Sequence, residues 1–397
     1  MSAQLQKPGW NMIKFGDIAQ NVAVRVDPAD ANTDVYVGLE HLDPSTIHLR
    51  QWGHPFDVTG QKLEFKKGDV IFGRRRAYQR KLAVAEFDGI CSAHAMVVRA
   101  KPKMILPEFL PFFLQSDMFM KRAIEISVGS LSPTINWKTL RVQEFPLPPL
   151  EEQKRLAEIL WAADEAIEKH LAASNSLQQL RNSIWDDIFQ SADTTWSTID
   201  TIARVGNGTT PSRKNNDYWE GGTIPWLSSG KIHDRIIKSA DEFITPEALR
   251  KAKSSHFPAG SVLVAMIGQG KTRGTAAFLD IDACINQNMA AIVPTEKSDG
   301  KYVFYCLDQM YEKLRNWSHG SNQGALNCGL VANFKIPLPL TKKRAEIGEI
   351  SHQIETELVI AASHVETLRK TLKSISNHFM SEASCSFMAA EKEAAHV

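Results

Sequence analysis

The 397-residue chain is 43% hydrophobic and 23% charged, which supplies enough apolar material for packed cores and excludes wholesale disorder. No apolar run approaches the roughly 18 to 20 residues of a membrane helix, and Met1 to Trp10 lacks a basic stretch followed by an apolar one, so a cytoplasmic protein without membrane contact is expected. With 46 Lys/Arg against 45 Asp/Glu the net charge is +1, so any nucleic-acid binding has to come from local patches. The five cysteines (Cys91, Cys284, Cys306, Cys328, Cys385) form no Cys-x-x-Cys pair and read as reduced, mostly buried thiols.

In chain order, the first elements are a short amphipathic stretch from Trp10 to Ala19 and strand candidates at Val35 to Leu39, Val70 to Phe72 and Ala95 to Val98. Helical patterning follows from Pro107 to Ile126, then a proline-rich exit (Pro146, Pro148, Pro149) that should stop strand or helix. A long helix comes next, with apolar positions Leu156, Leu160, Ala163, Ile167 and Leu171, then Leu177, Leu180, Ile184 and Ile188 after a phase slip near Ser174. The whole order then repeats: Trp196 to Ala203, strands at Val262 to Ile267 and Ala290 to Val293, a helix at Gly300 to Trp317, and a second exit at Pro337 and Pro339. The closing helix carries a heptad seam through Ile350, Ile354, Leu358, Ala361, Val365, Leu368, Leu372, Ile375 and Phe379.

The repeat is visible in residues. Gly68 to Phe72 matches Gly260 to Val264, Cys91 to Met96 matches Cys284 to Met289, Gly129-Ser130 matches Gly320-Ser321, and Phe145-Pro-Leu-Pro148 matches Ile336-Pro-Leu-Pro339. A period near 190 residues is too long for a solenoid and reads as a duplicated domain plus helix. Each helix of roughly 40 residues would span roughly 60 Å and needs a partner for its seam. The expected fold is therefore α+β: two duplicated α/β domains, 1–149 and 192–340, separated by long antiparallel helices, 150–191 and 341–384, in a pseudo-twofold arrangement with a tail at 385–397.

One segment imitates a nucleotide site. Ala265-Met-Ile-Gly-Gln-Gly-Lys271-Thr272 nearly matches a phosphate-binding loop, but position 265 is not Gly and the residues that follow, Arg273-Gly274-Thr275, look strand-like rather than helical. The better reading is a hairpin tip presenting Gln269, Lys271 and Arg273 to an anion. No hydrolase elbow, zinc-protease helix or dinucleotide fingerprint occurs, and the twelve histidines show no ligand spacing. Catalysis, cofactor and metal are not expected in this chain.

Local charge is more informative. Between Gln61 and Lys81 eight Lys/Arg, among them Arg74, Arg75, Arg76, Arg80 and Lys81, face two acids, with Tyr78 interleaved, whereas Leu150 to Gln190 holds eight acids and four bases. Lysine and arginine on phosphates carry no sequence information, so base reading needs amides and hydroxyls on short turns. The second half offers Thr210, Ser212, Arg213 and Lys214, then Ser228, Ser229 and Lys231, then Asn286 and Gln287; the first half has Gly38 to Leu42 and Ser92 to His94 at matching places. Similar frames with different side chains suggest two different targets.

These residues resemble the specificity subunit of type I restriction-modification systems. The second half carries the likeness in Thr210-Pro-Ser212, Tyr218-Trp219, Ile224-Pro-Trp-Leu-Ser-Ser-Gly-Lys-Ile232 and Phe243 to Leu249; the first half carries it in Gly38 to Leu42, Gly73 to Lys81 and Pro146 to Gln153. The start of the second helix departs, reading Leu340-Thr-Lys-Lys-Arg344. The resemblance implies two target-recognition domains, each reading half of an interrupted double-stranded DNA site, with the helices fixing the gap. It also implies two copies of a DNA adenine methyltransferase subunit carrying S-adenosylmethionine, and a motor endonuclease subunit using ATP and magnesium, with none of these cofactors bound here. A coiled-coil scaffold that reads no DNA, and a nucleotide enzyme built on Lys271, are the competing readings.

Overall fold

The computed structural model describes residues 9–192, 194–268, 270–317 and 324–394, with side chains as far as Asn377. Gln269, Gly320-Ser321 and the side chains of Phe379 and Cys385 lie outside the described residues. The chain forms two compact units, Met1–His170 with His364–Val397, and Leu171–Ser363. No helix among the described residues is long and apolar enough to cross a membrane.

In the first unit a four-stranded sheet takes the order Ala19–Val22, Met96–Ala100, Val70–Phe72, Leu82–Val84, all antiparallel. Val70–Phe72, Leu82–Val84 and the start of Met96–Ala100 are apolar on both faces because both faces are covered there, whereas Ala19–Val22 carries exposed Gln20. Val70, Phe72, Met96 and Val98 pack on Phe109, Phe112, Phe113 and Phe119 and on Leu156 and Leu160 of the central helix (Leu150–Gln190). Ile71, Ala83 and Val97 face a second sheet through Val37, Leu63, Phe65 and Cys91. That second sheet runs Arg25–Val26, Lys62–Phe65, Gly89–Cys91, Tyr36–Val37, and its last pair is parallel.

The second unit repeats this plan. Ala203–Asn207, Met289–Pro294, Val262–Ala265 and Ala276–Leu279 occupy the same order, extended by Ile236–Ile237, and a second sheet places Ile224–Leu227 parallel to Ala283–Ile285. One face of the first sheet packs on Tyr302, Phe304, Trp185, Ile188 and Ile347, the other on Leu227, Ile285 and Phe257. Burying each such Phe or Leu contributes about 1.5–3 kcal/mol, so the alternation of side chains across the sheet specifies register.

Three expectations change in detail. The proline exits are strands: Glu144–Leu147 pairs antiparallel with Asn11–Lys14, and Lys335–Leu338 with Thr195–Thr198. Proline is tolerated there because a two-stranded ladder leaves one edge of each strand without a ladder partner, so the missing N–H costs no bond. The C-terminal helix (Thr341–Ala394) also continues past the boundary expected at 384.

The third change concerns the seams. Leu156, Leu160, Ile167, Ile188, Ile354, Ala361 and Val365 are buried as the heptads require, but Leu180 and Ile350 are exposed. Around Leu180 and Ile184 the inward positions shift by one, so that Arg181 takes the seam and reaches Glu355 at 3.4 Å, and Trp185 is buried, before Ile188 rejoins the expected phase. At the start of the C-terminal helix Gly348 approaches the Tyr302 backbone so closely that a Cβ would lie 2.7 Å from its nitrogen, which turns Ser351 rather than Ile350 inward. Within the first unit Leu372 and Ile375 pack against the cluster containing Leu156 and Leu160, while the His170 ring lies 5.2 Å from His364. Ascending numbers on one helix meet descending numbers on the other, so the paired segments run antiparallel there.

Candidate nucleic-acid interface

Both units concentrate polar residues at the same place in the topology: the tip of the central hairpin and the two loops that leave the parallel strand pair. In the first unit the hairpin Val70–Phe72 to Leu82–Val84 turns through Gly73 to Lys81. Arg74 donates to the Ala93 carbonyl at 2.9 Å and Lys81 to the Leu39 carbonyl at 2.8 Å, so these two cations fasten the hairpin to the loops after Cys91 and Val37. Arg80 pairs with Asp117, whose carboxyl also accepts from Asn377; burial pushes its pKa up, but Arg80, with Lys373 and Asn377, outweighs burial and holds it below the usual value. Lys66 pairs with Asp88 at 3.1 Å, and Lys62 caps the Gly60 carbonyl at 2.7 Å. The basic run is thus largely a set of internal fasteners.

Arg75 and Arg76 differ. Both are exposed, with the Ser132 hydroxyl 3.5 and 3.4 Å away, and Tyr78 and His94 are exposed beside them in the same tip and loop set. Arg76 and Arg80 adopt left-handed backbone, φ 56° and 54°, a conformation costing about 1–3 kcal/mol for residues with a Cβ and retained where surrounding bonds impose it. Here the Arg76 N–H is held by the Pro133 carbonyl at 2.7 Å.

In the second unit Ser228 and Ser229 leave one parallel strand, and Asn286 and Gln287 leave the other. A third segment closes over them because Gly208 lies against the end of Ala283–Ile285, where a Cβ would sit 1.7 Å from the Ile285 carbonyl. Thr210 then donates to Gln287 at 2.7 Å, and Trp226 donates to the Thr209 carbonyl at 3.0 Å. Arg213 stacks 3.7 Å over Trp219 and 5.0 Å from Trp226 while bonding Glu242, which raises its pKa and keeps it charged. Ser212 and Lys214 flank it and are exposed. Asn286 is buried and accepts from the Asn288 N–H at 3.1 Å, a loop-forming bond, leaving Gln287 outward.

Two cations of this half are occupied as in the first. Lys231 is held by Asp234 at 2.9 Å and Asp241 at 3.0 Å, and Arg273 is buried with a bond to the Gly324 carbonyl at 2.9 Å. Lys271 is exposed, and its carbonyl accepts from Tyr311 and Thr275. This segment is no phosphate loop: Val262–Ala265 turns back into antiparallel Ala276–Leu279, so no helix follows to aim amides at a phosphate. Ser132, Leu131 and Glu242 escaped the sequence reading, although the repeated Gly129-Ser130 pair marked the loop that carries the first two.

Two mixed α/β units of one plan, each offering a hairpin tip and paired loops with different side chains, define a duplicated recognition protein. The chain belongs to the type I restriction modification DNA specificity domain family, whose profile matches residues 8–177 and 193–363. It is 25% identical to the EcoR124I/EcoR124II specificity subunit of Escherichia coli over 54% of this chain and 56% of that protein. It is 29% identical to the EcoDI specificity subunit of Escherichia coli over 44% of this chain and 39% of that one, so it spans about half or less of these relatives. The MjaVIII specificity subunit of Methanocaldococcus jannaschii is 22% identical over 93% of this chain and 91% of its own. Among solved structures, the type I restriction-modification S subunit of M. genitalium shares the fold, with TM-score 0.62, 13% identity, and coverage of 95% and 99% of the two chains.

Proposed function

We propose that this chain is the DNA-recognition subunit of a type I restriction-modification complex, each unit reading one half of an interrupted duplex site and the long helices setting the gap. The carrying observation is that one frame, a hairpin tip with two loops after a parallel strand pair, is built twice with different exposed side chains: Arg75, Arg76, Tyr78 and His94 in one unit, Lys271, Ser228 and Gln287 in the other, where the segment after Gly208 adds exposed Ser212, Arg213 and Lys214. Cations supply affinity by displacing counterions from phosphates, and hydroxyls and amides supply discrimination at base edges. The chain itself would be non-catalytic and cytoplasmic. S-adenosylmethionine would belong to two copies of an adenine methyltransferase subunit, and ATP and magnesium to a motor endonuclease subunit.

The test is protection of random duplexes by the chain together with a methyltransferase subunit. One interrupted sequence should be protected, with affinity falling steeply as salt rises. Binding without sequence preference would favour a coiled-coil scaffold instead. Inserting four residues near Ser174, about 6 Å of helix, should change the tolerated gap and leave both half-sites unaltered; an unchanged gap would reject the spacer role.

A further inference from the structure

The loop that braces Arg75 and Arg76 presents an unusual tip. Val128 and Thr134 exchange backbone hydrogen bonds of 3.0 and 2.9 Å, and Thr134 bridges in turn to Arg75, so residues 128–134 form a tight hairpin laid along the basic tip. Gly129, at φ 115°, makes the turn, and the Ser132 carbonyl accepts from the Thr134 hydroxyl at 3.0 Å. Leu131 stands at the apex with 90% of its surface exposed; Val128, at the base of the same hairpin, is 66% exposed, and Tyr78, on the adjoining basic tip, 54%. A single exposed leucine needs no explanation. Exposed Leu131 and Val128 on a hydrogen-bonded hairpin laid along a tip that carries Tyr78 and two exposed guanidiniums do, because such a group is costly to leave in water and fits a polyanion with an apolar interior.

Stacked duplex DNA is that partner: phosphates outside, base faces within. Resting on the DNA-recognition reading, we propose that Leu131 is an apolar wedge that enters a base step of the half-site bound by the first unit, partly unstacking it, while Arg75 and Arg76 hold the flanking phosphates. Proteins that kink DNA insert leucine, isoleucine or methionine in this way and are compensated by the extra surface that bent DNA contacts. The bracing bonds from Thr134 and Pro133 keep the tip from folding back, which a wedge requires. A side chain without charge or hydrogen-bonding groups adds shape-dependent specificity at a step where no base edge is read.

The experiment uses the full chain with its methyltransferase subunit and the duplex it protects, with 2-aminopurine placed step by step through the first half-site. The wild-type complex should raise fluorescence several-fold at one step distinct from the methylated adenine. Leu131→Ala should abolish that rise, weaken binding about tenfold, leave the slope of affinity against salt unchanged, and leave any signal at the methylated adenine intact. Leu131→Met should retain the rise. An identical signal in Leu131→Ala would overturn the wedge while leaving the recognition reading standing, whereas absence of sequence-specific binding by the wild-type complex would sink both. If Leu131→Ala instead weakens assembly with the methyltransferase subunit in the absence of DNA, the tip is a protein contact and the proposal fails.

Discussion

Gln153 and Arg344 stand at the same position of the two helix starts, 191 residues apart, and each anchors its helix with different chemistry. Gln153 is fully buried; its amide donates to the Met104 and Pro148 carbonyls at 3.0 and 2.8 Å and accepts from the Leu106 N–H at 2.9 Å. Arg344 donates to the equivalent Pro339 carbonyl at 2.9 Å, but spends its other nitrogens on a bidentate pair with buried Asp299 at 3.0 and 2.7 Å. The departure of the second helix start from the family pattern is therefore a change of anchor, with the anchored carbonyl retained. A duplicated frame preserves the bond that fixes the chain's direction and lets its surroundings diverge.

This difference can be broken first. Arg344→Ala strands a buried carboxylate and should cost about 3–5 kcal/mol in urea unfolding of the full chain, whereas Gln153→Ala leaves neutral groups unpaired and should cost about 1–3 kcal/mol. Equal losses would mean that the ion pair is solvated and no different in kind from the amide.

The reading loops extend the contrast. In the second unit Arg213 stacks on Trp219 and reaches toward Trp226, whose counterpart in the first unit, Tyr36, has Lys62 at 5.9 Å. Arg213→Ala should weaken the second half-site by about 1–3 kcal/mol and leave base preference at the first unchanged, as read by competition between duplexes altered in one half. Arg75→Ala and Arg76→Ala should each lower the salt slope by about one and act on the first half-site. Arg80→Ala should instead lower the unfolding midpoint, because its partner is Asp117. Loss spread evenly over both half-sites would mean that the two units are not separate readers.

The smallest effect is one of pH, and the halves have opposite signs. His48 is bonded to Asp164 at 2.6 Å and to Glu86 at 2.7 Å; the Asp164 bond, opposed by burial and helped by Glu86, raises its pKa, with Arg50 and Trp161 beside it. Its stabilisation is complete below the ordinary histidine pKa and disappears as pH climbs through the raised value. His352, 3.1 Å from the Tyr305 hydroxyl, is lowered by burial first and by Lys301 next, with Glu349 opposing. It is best kept neutral, so its contribution is present above the ordinary value and is lost as pH falls through the lowered one. His48→Gln should therefore destabilise the chain mainly at about pH 5.5, and His352→Gln should flatten the acid-side loss expected of the wild type between about pH 8 and about pH 5.5. Parallel pH profiles for wild type and both variants would remove this contrast.

Periodicity and self-similarity carry much of the architecture. Gly68 to Phe72 and Gly260 to Val264 announce equivalent hairpins because a central strand with both faces covered has to be apolar throughout, and the helix seams announce their burial because spacings of three and four keep one face inward. What those patterns leave open is where a charge goes. Arg74, Arg80, Lys81, Lys231 and Arg273 read in sequence as a basic surface, yet carbonyls and carboxylates distant in the chain claim them, while Arg75, Arg76, Lys214 and Lys271 stay outward. Leu131 shows the converse, an apolar residue that local pattern cannot distinguish from core. Burial of an apolar stripe is a property of neighbours three or four residues apart, which the linear order records; the partner of a long cation lies tens of residues away, and only the packed chain decides it.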